Sequence, residues 1–280
     1  MKIIIHGGFF SESSQSMETK VAKQNALRHT ISLSYDYLKT HSALETVAFA
    51  VEQLENDILF NAGIGSQIQS DGKIRMSASI MDGVSTKFSG VINIENVKNP
   101  IRVAEKLFNT EDRVLGGEGA TKFAYANNFD FFNPEIPQRR KEYEAKLGSR
   151  SLGTVGCVAL DSNGNIAAAT STGGKGFEVP GRISDSATAA GNYANQFCGV
   201  SCTGIGEDIV SAAVATKIVT RVTDGLSIEK SFEKTFSELK AIDGFAGAIA
   251  IDNKGNIFHL DSHPSMVYAS FDGNIIDVFQ

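Results

Sequence analysis

The sequence predicts an α+β fold in which sheets stack on one another and helices cover the outside. Two observations predict it. Apolar residues recur at helical spacing over 17–39 and 43–54, while the chain after residue 153 is dominated by short apolar runs joined at "SNGN" and "NKGN". Strands and helices therefore come in blocks, and such blocks bury their apolar faces best as packed layers. A length of 280 residues supplies ample chain for a buried core.

Each element follows in order. "MKIIIHGG" opens with a short strand running into a glycine turn. Met17 to Lys39 places Val21, Leu27, Ile31 and Leu38 at helical spacing, and Ala43 to Leu54 repeats the pattern. "IRMSASIMDG" alternates as a strand does, and "KFSGVINIEN" reads as its neighbour. Pro100 suits the first position of a helix reaching Phe108. A further helix covers about Glu118 to Asn127. From Asn133 to Leu152 two prolines and dense charge give way to small polar residues, a short charged helix followed by an exposed linker.

Beyond the linker, "TVGCVALDSNGNIAAATS" is two strands about Asn163-Gly164, a two-residue hairpin signal. "AGAIAIDNKGNIFHLDS" repeats the design, and "MVYASFDGN" adds a strand. Between the hairpins, "FCGVSCTGIGEDIVSAAVATKIVTRV" runs from a strand through glycines into a helix. A second helix starts after Ser227, its N-cap.

Composition narrows the function. A formal net charge of −6 argues against nucleic-acid binding, which draws on a basic excess. No apolar run approaches the roughly 20 residues that cross a bilayer, and three isoleucines are too few for a secretory signal core. Cys157, Cys198 and Cys202 form no Cys-x-x-Cys pair and sit among small or apolar neighbours, so buried reduced thiols in a cytoplasmic protein are expected. The five histidines are scattered, without ligand spacing. His-Glu-x-x-His, Gly-x-Ser-x-Gly and the phosphate-binding loop are all missing from the sequence.

What remains is chemistry without histidine. A threonine hydroxyl needs an adjacent base, and a chain-terminal threonine carries one in its own α-amine. That amine has a pKa of about 7.7–8.0, close to working pH. Gly153 gives the backbone ahead of Thr154 the freedom for its peptide bond to be attacked by the threonine hydroxyl. The end of the second hairpin strand, "TSTGG", puts Thr170 and Thr172 on one face, with Thr172 beside Thr154. Arg182 and Asp185 in "PGRISDS" could grip the two charged ends of an amino acid, and "CTGIG" supplies a hydroxyl and free N–H groups. Taken singly, these are also a cross-strand threonine pair, a surface ion pair and a strand-to-helix turn.

Their order resembles the plant-type asparaginases, or isoaspartyl peptidases, of the N-terminal-nucleophile hydrolases. The resemblance rests on "LFNAGIGS", "MDG", "GGEGA", "GTVGCVALDSNGNIAAATSTGG", "PGR" with Asp185, and "SCTGIGE". It implies a four-layer αββα sandwich and self-cleavage into chains 1–153 and 154–280. It further implies Thr154 as nucleophile and base, Thr172 as its support, Thr203 and Gly204 as oxyanion hole, and Asn61 holding the nucleophile. Arg182 would take the substrate α-carboxylate, and Asp185 with Gly206 the α-ammonium. A structural sodium would be held by backbone carbonyls of Leu54, Glu55, Asp57, Phe60, Ala62 and Ile64, and two αβ units would form a homodimer. The implied substrates are asparagine and β-aspartyl dipeptides. The chain departs from the family pattern at "HGGFF", where "HGGAG" is usual, and at Ile205, where a polar residue is common. A glycosylasparaginase, with Asp in place of Gly153, a threonine endopeptidase and an uncleaved amino-acid-binding relative stay open as alternatives.

Overall fold

The computed structural model describes residues 1–10, 17–145, 153–263 and 265–280. An eight-stranded sheet lies on a four-stranded one. In the larger, β1 (Lys2–Phe9) is flanked by β11 (Met266–Phe271) and β5 (Val155–Leu160). Beyond β5 follow β6 (Ile166–Thr172), β2 (Met76–Asp82), β3 (Lys87–Ile94) and β4 (Val114–Gly116), and β12 (Ile276–Val278) closes the other edge. The smaller sheet orders β10 (Ile257–Asp261), β9 (Ala246–Asp252), β8 (Cys198–Gly204) and β7 (Asn192–Ala194).

Three apolar clusters define the layers. α1 (Met17–Leu38), α2 (Ala43–Glu55) and α3 (Pro100–Leu107) cover the outer face of the large sheet through Leu27, Val47, Val51 and Ile101 against Ile3, Ile5, Val155 and Cys157. On the small sheet, α7 (Val214–Thr223) and α8 (Ile228–Lys240) cover Cys198, Val200 and Cys202. Ile4, Val158, Ile166, Ile249 and Ile251 fill the space between the sheets. The order is helix, sheet, sheet, helix, as the αββα expectation requires. All three cysteines are buried and free.

Period-two alternation explains both the layers and the site. Residues 155, 157 and 159 of β5 face the helices, so 154, 156 and 158 face the other sheet. Pairing aligns these inward positions in lateral rows. One row is apolar, Met81, Ala168, Val158 and Ile4; the next is Ser79, Thr170, Gly156 and His6. The interface thus turns polar toward the end where β5 begins.

Local structure follows the sequence with instructive departures. Ser42 caps α2 in a full capping box with Glu45, and Ser227 caps α8. β1 does not stop at its glycines but continues to Phe9 through an irregularity after His6. A Cβ on Gly7 would lie 2.4 Å from the Phe60 ring, so glycine there admits the aromatic against the strand. Neither hairpin has the expected two-residue loop. Asp161 and Asp252 each accept backbone N–H groups two and four residues ahead, building matching loops with Gly164 and Gly255 at positive φ. The helix after β8 breaks at Ala213 (φ 49°) into α6 (Gly206–Ala212) and α7, because Ala215 N–H donates to the carbonyl of Ala190 in a neighbouring loop. Among the described residues α4 (Gly117–Ala126) and α5 (Pro137–Glu144) complete the α-helices, the latter matching the expected charged helix; most of the linker expected after it lies outside the described residues. The short strands β4, β7 and β12 carry too few residues for periodicity to signal them.

Candidate active site

Thr154 stands immediately before β5, at the polar end of the interface between sheets. Strand pairing of Val155 with Ser171 sets it opposite Thr172, and its hydroxyl donates to Thr172 Oγ1 at 3.3 Å. Thr172 Oγ1 also accepts the Gly174 N–H at 3.2 Å, which fixes that hydroxyl against the turn that follows β6. Thr154 is 7% exposed: shielded, yet reachable.

Asn61 serves that same turn. Its side-chain amide donates to the Gly174 carbonyl and accepts the Gln67 N–H, and its own carbonyl accepts the Gly173 N–H at 2.9 Å. No hydrogen bond joins Asn61 to Thr154 among the described residues; Asn61 holds the turn after β6, the strand that ends at Thr172.

In the smaller sheet, β8 ends at Thr203 and Gly204 beside the start of α6. Thr203 is fully buried and its hydroxyl has no hydrogen-bond partner among the described residues. Gly204 has φ +137°, and a Cβ there would lie 2.6 Å from the Phe245 carbonyl, so only glycine fits. A buried, unpaired hydroxyl costs free energy unless something binds it.

Arg182 and Asp185 frame Gly206. A Cβ on Gly206 would sit 2.8 Å from the Arg182 guanidinium and 2.9 Å from Asp185 Oδ1, so glycine opens the gap between fork and carboxylate. Asp185 Oδ1 accepts from Ser184 at 3.1 Å while Oδ2 is buried without a partner. Burial raises the Asp185 carboxyl to about 6, with the Ser184 hydrogen bond and Arg182 pulling the other way. Arg182 donates through Nε and a terminal nitrogen to Glu207 at 2.8 and 2.9 Å. Hydrogen bonding from Arg182 holds the Glu207 carboxyl down at about 2. A cation and an unsatisfied carboxylate side by side suit an amino-acid head group.

Sequence reasoning missed several groups here. His6 lies fully buried beneath Thr154, its Nδ1 3.1 Å from the Thr154 carbonyl and its Nε2 2.9 Å from Ser201 Oγ. Ser201 and Thr170 hydroxyls are 2.6 Å apart. The signal was present as a histidine that follows three isoleucines and heads the "HGG" glycines. Glu55, assigned only for its carbonyl, buries its carboxyl to accept from Ser171 at 2.6 Å and from the Ile101 N–H at 3.0 Å, tying α2 to β6 and α3. Glu207 was unremarked.

The segment from Leu54, in the last turn of α2, to Ile64 folds tightly on its own carbonyls. A Cβ on Gly63 would be 2.2 Å from the Glu55 oxygen, and one on Gly65 1.9 Å from the Phe60 oxygen. Such oxygens are hard donors, the chemistry a sodium ion takes. No cluster of three His, Cys, Asp or Glu able to hold a metal occurs among the described residues. Nor is any described helix long and apolar enough to cross a membrane.

Comparison with known proteins gives the site its context. The profile of the family described as asparaginase matches residues 1–147 and 135–279. The chain is 41% identical to the isoaspartyl peptidase/L-asparaginase of Synechocystis sp., covering 98% of this chain and 89% of the relative. It is 37% identical to the isoaspartyl peptidase of Escherichia coli over 91% and 88% of the two chains, and 35% to the plant-type L-asparaginase of Pyrococcus furiosus over 95% of each.

Proposed function

The chain belongs to the asparaginase family, and from that premise we propose that it is a self-processing threonine amidohydrolase. It cleaves its own Gly153–Thr154 bond to give chains 1–153 and 154–280. It then hydrolyses L-asparagine to aspartate and ammonia, and β-aspartyl dipeptides to aspartate and a free amino acid. The observation that carries the reading is the Thr154–Thr172 hydroxyl pair at the start of β5, in a chain that also holds a buried, unpaired Thr203 hydroxyl and the Arg182–Asp185 frame around Gly206.

The chemistry follows from these groups. Once freed, the Thr154 α-amine accepts the proton of its own hydroxyl, and Oγ1 attacks the β-carbonyl of the substrate. The oxyanion is taken by the Thr203 hydroxyl and the Gly204 N–H. The protonated amine passes its proton to the leaving nitrogen, and the C–N bond breaks, leaving a β-aspartyl ester on Thr154. Water, deprotonated by the same amine, hydrolyses the ester and restores the hydroxyl. Arg182 holds the α-carboxylate and Asp185 the α-ammonium throughout. Thr172 steadies Oγ1, and Asn61 steadies the turn bearing Thr172.

Backbone oxygens of Leu54, Glu55, Asp57, Phe60, Ala62 and Ile64 would hold a structural sodium, whose charge would draw these carbonyls together around Asn61. The working enzyme is a cytoplasmic homodimer of αβ units. Intact mass spectrometry after incubation at neutral pH, with asparagine and β-aspartyl-leucine assays, tests the central claim. Two fragments, the second starting at Thr154, and turnover lost in Thr154→Ala are expected. Substantial turnover in Thr154→Ala would refute it.

A further inference from the structure

We propose that His6 is a positioning residue for the nucleophile: its Nδ1–H holds the carbonyl of Thr154, and the hydroxyls of Ser201 and Thr170 hold the ring in the tautomer able to do so. This rests on Thr154 being the nucleophile.

Directionality fixes the tautomer. A carbonyl can only accept, so Nδ1 of His6 carries a proton to Thr154 O at 3.1 Å. Burial lowers the imidazole to about 3 and keeps it neutral, which leaves Nε2 an acceptor. The Ser201 hydroxyl therefore donates to Nε2 at 2.9 Å, and Ser201 Oγ in turn accepts from Thr170 at 2.6 Å. The chain of donors runs one way, from Thr170 through Ser201 and His6 to Thr154. Three strands of two sheets meet in it before it reaches the nucleophile.

Its place in the ladder explains why a side chain is used. Pairing of β1 with β5 ends at His6 with Gly156, and pairing of β5 with β6 ends at Val155 with Ser171. Thr154 lies outside both registers. After cleavage it is a chain end, anchored on one side only. The imidazole holds its carbonyl and Thr172 its hydroxyl, and two such points define where Oγ1 and the amine lie. Gly156 makes the arrangement possible, since a Cβ there would lie 2.0 Å from Ser201 Oγ and 2.4 Å from His6 Nε2.

The test compares His6→Asn, His6→Gln and His6→Phe, with kcat counted per free Thr154 terminus. An asparagine amide reaches the place of Nδ1; a glutamine amide reaches that of Nε2. Misplacement of a reacting group by an ångström costs about 100-fold. We expect kcat to fall about 30- to 100-fold in the Phe and Gln variants with KM unchanged within about twofold. The Asn variant should recover to within about fivefold of wild type. Thermal midpoints of the Asn and Gln variants should agree. Glutamine rescuing as well as asparagine, loss tracking the thermal midpoint, or a rise in KM at constant kcat would overturn the proposal. If the His6 variants do not fold, Ser201→Ala and Thr170→Val carry the test. Each keeps His6 and should lower kcat alone; unchanged kcat in both overturns the proposal. Wild type is assayed first, because its failure to cleave and hydrolyse would defeat the functional reading, a result separable from any variant's.

Discussion

Replacing Gly206 with alanine separates recognition from folding at a single methyl group. The added Cβ would lie 2.8 Å from the Arg182 guanidinium, 2.9 Å from Asp185 Oδ1 and 3.3 Å from the Asp185 backbone nitrogen. The first two are ends of side chains, so they move aside and the fold survives. Alanine in a first helical turn even favours α6, by up to about 1 kcal/mol. Recognition has no such latitude, since both moving groups are those proposed to hold the substrate's two charges. Loss of one hydrogen bond to a charged group costs about 1.5–3 kcal/mol. At about 1.4 kcal/mol per factor of ten, KM should rise roughly 10- to 100-fold. The assay is steady-state hydrolysis of asparagine beside a thermal melt, with Thr154 cleavage checked by mass. Wild-type KM within about twofold, or a KM rise matched by a collapsed melting point, would refute the assignment of this gap to the substrate head group.

Asp185→Asn should raise stability near neutral pH while raising KM sharply. The folded carboxyl is shifted up to about 6 by burial, so the native state binds the extra proton between the unfolded value of 3.8 and about 6. The stabilisation from that protonation is complete below 3.8 and lost as pH rises through 6. The variant's advantage should therefore reach up to about 3 kcal/mol at pH 7.5 and vanish at pH 3.5, as read by urea unfolding at both. A gap of equal size at the two pH values would contradict burial as the cause. Glu207→Gln weakens the two-point grip on Arg182 at an exposed pair. It should raise KM by less than about tenfold and leave kcat unchanged; a change in kcat alone would contradict a role confined to binding.

Much of the fold is legible because period two and period 3.6 dominate the sequence. The same periodicity carried Thr154 opposite Thr172, since each stands on the inward face of a predicted strand. Arg182 and Asp185 lie three apart in one loop, and short-range spacing was enough to pair them. What escaped is long-range. His6 and Ser201 are 195 positions apart, and nothing local to either signals that the smaller sheet brings them within 2.9 Å. The hairpins misled for a different reason: Asn163-Gly164 promises a tight turn, but the preceding Asp161 binds the loop's own N–H groups and makes a longer loop more favourable. Ala213 gave no local sign either, because the break there is fixed by a carbonyl in a neighbouring loop.

The inward faces explain why the site sits where it does. Along β6 they read Ile166, Ala168, Thr170, Thr172, and along β2, from its far end, Met81, Ser79, Ser77; both turn from apolar to hydroxyl toward Thr154. Burying hydroxyls between two sheets destabilises unless each finds a partner. Ser79 shows how partners are found, accepting from Asn192 at 2.9 Å and donating to the Ser186 carbonyl at 2.6 Å. It thereby fastens the large sheet to the turn that aims Asp185. Ser79→Ala leaves two buried groups short of a partner, at a cost of about 1–3 kcal/mol. If the row serves the site as well as the core, the turn bearing Asp185 should loosen, and KM should rise severalfold while Thr154 cleavage proceeds at the wild-type rate. Chemical denaturation, KM and cleavage rate measured on one preparation decide it. Lost stability with KM unchanged would mean that the polar rows serve packing alone, and that Asp185 is held by Ser184 and its own turn.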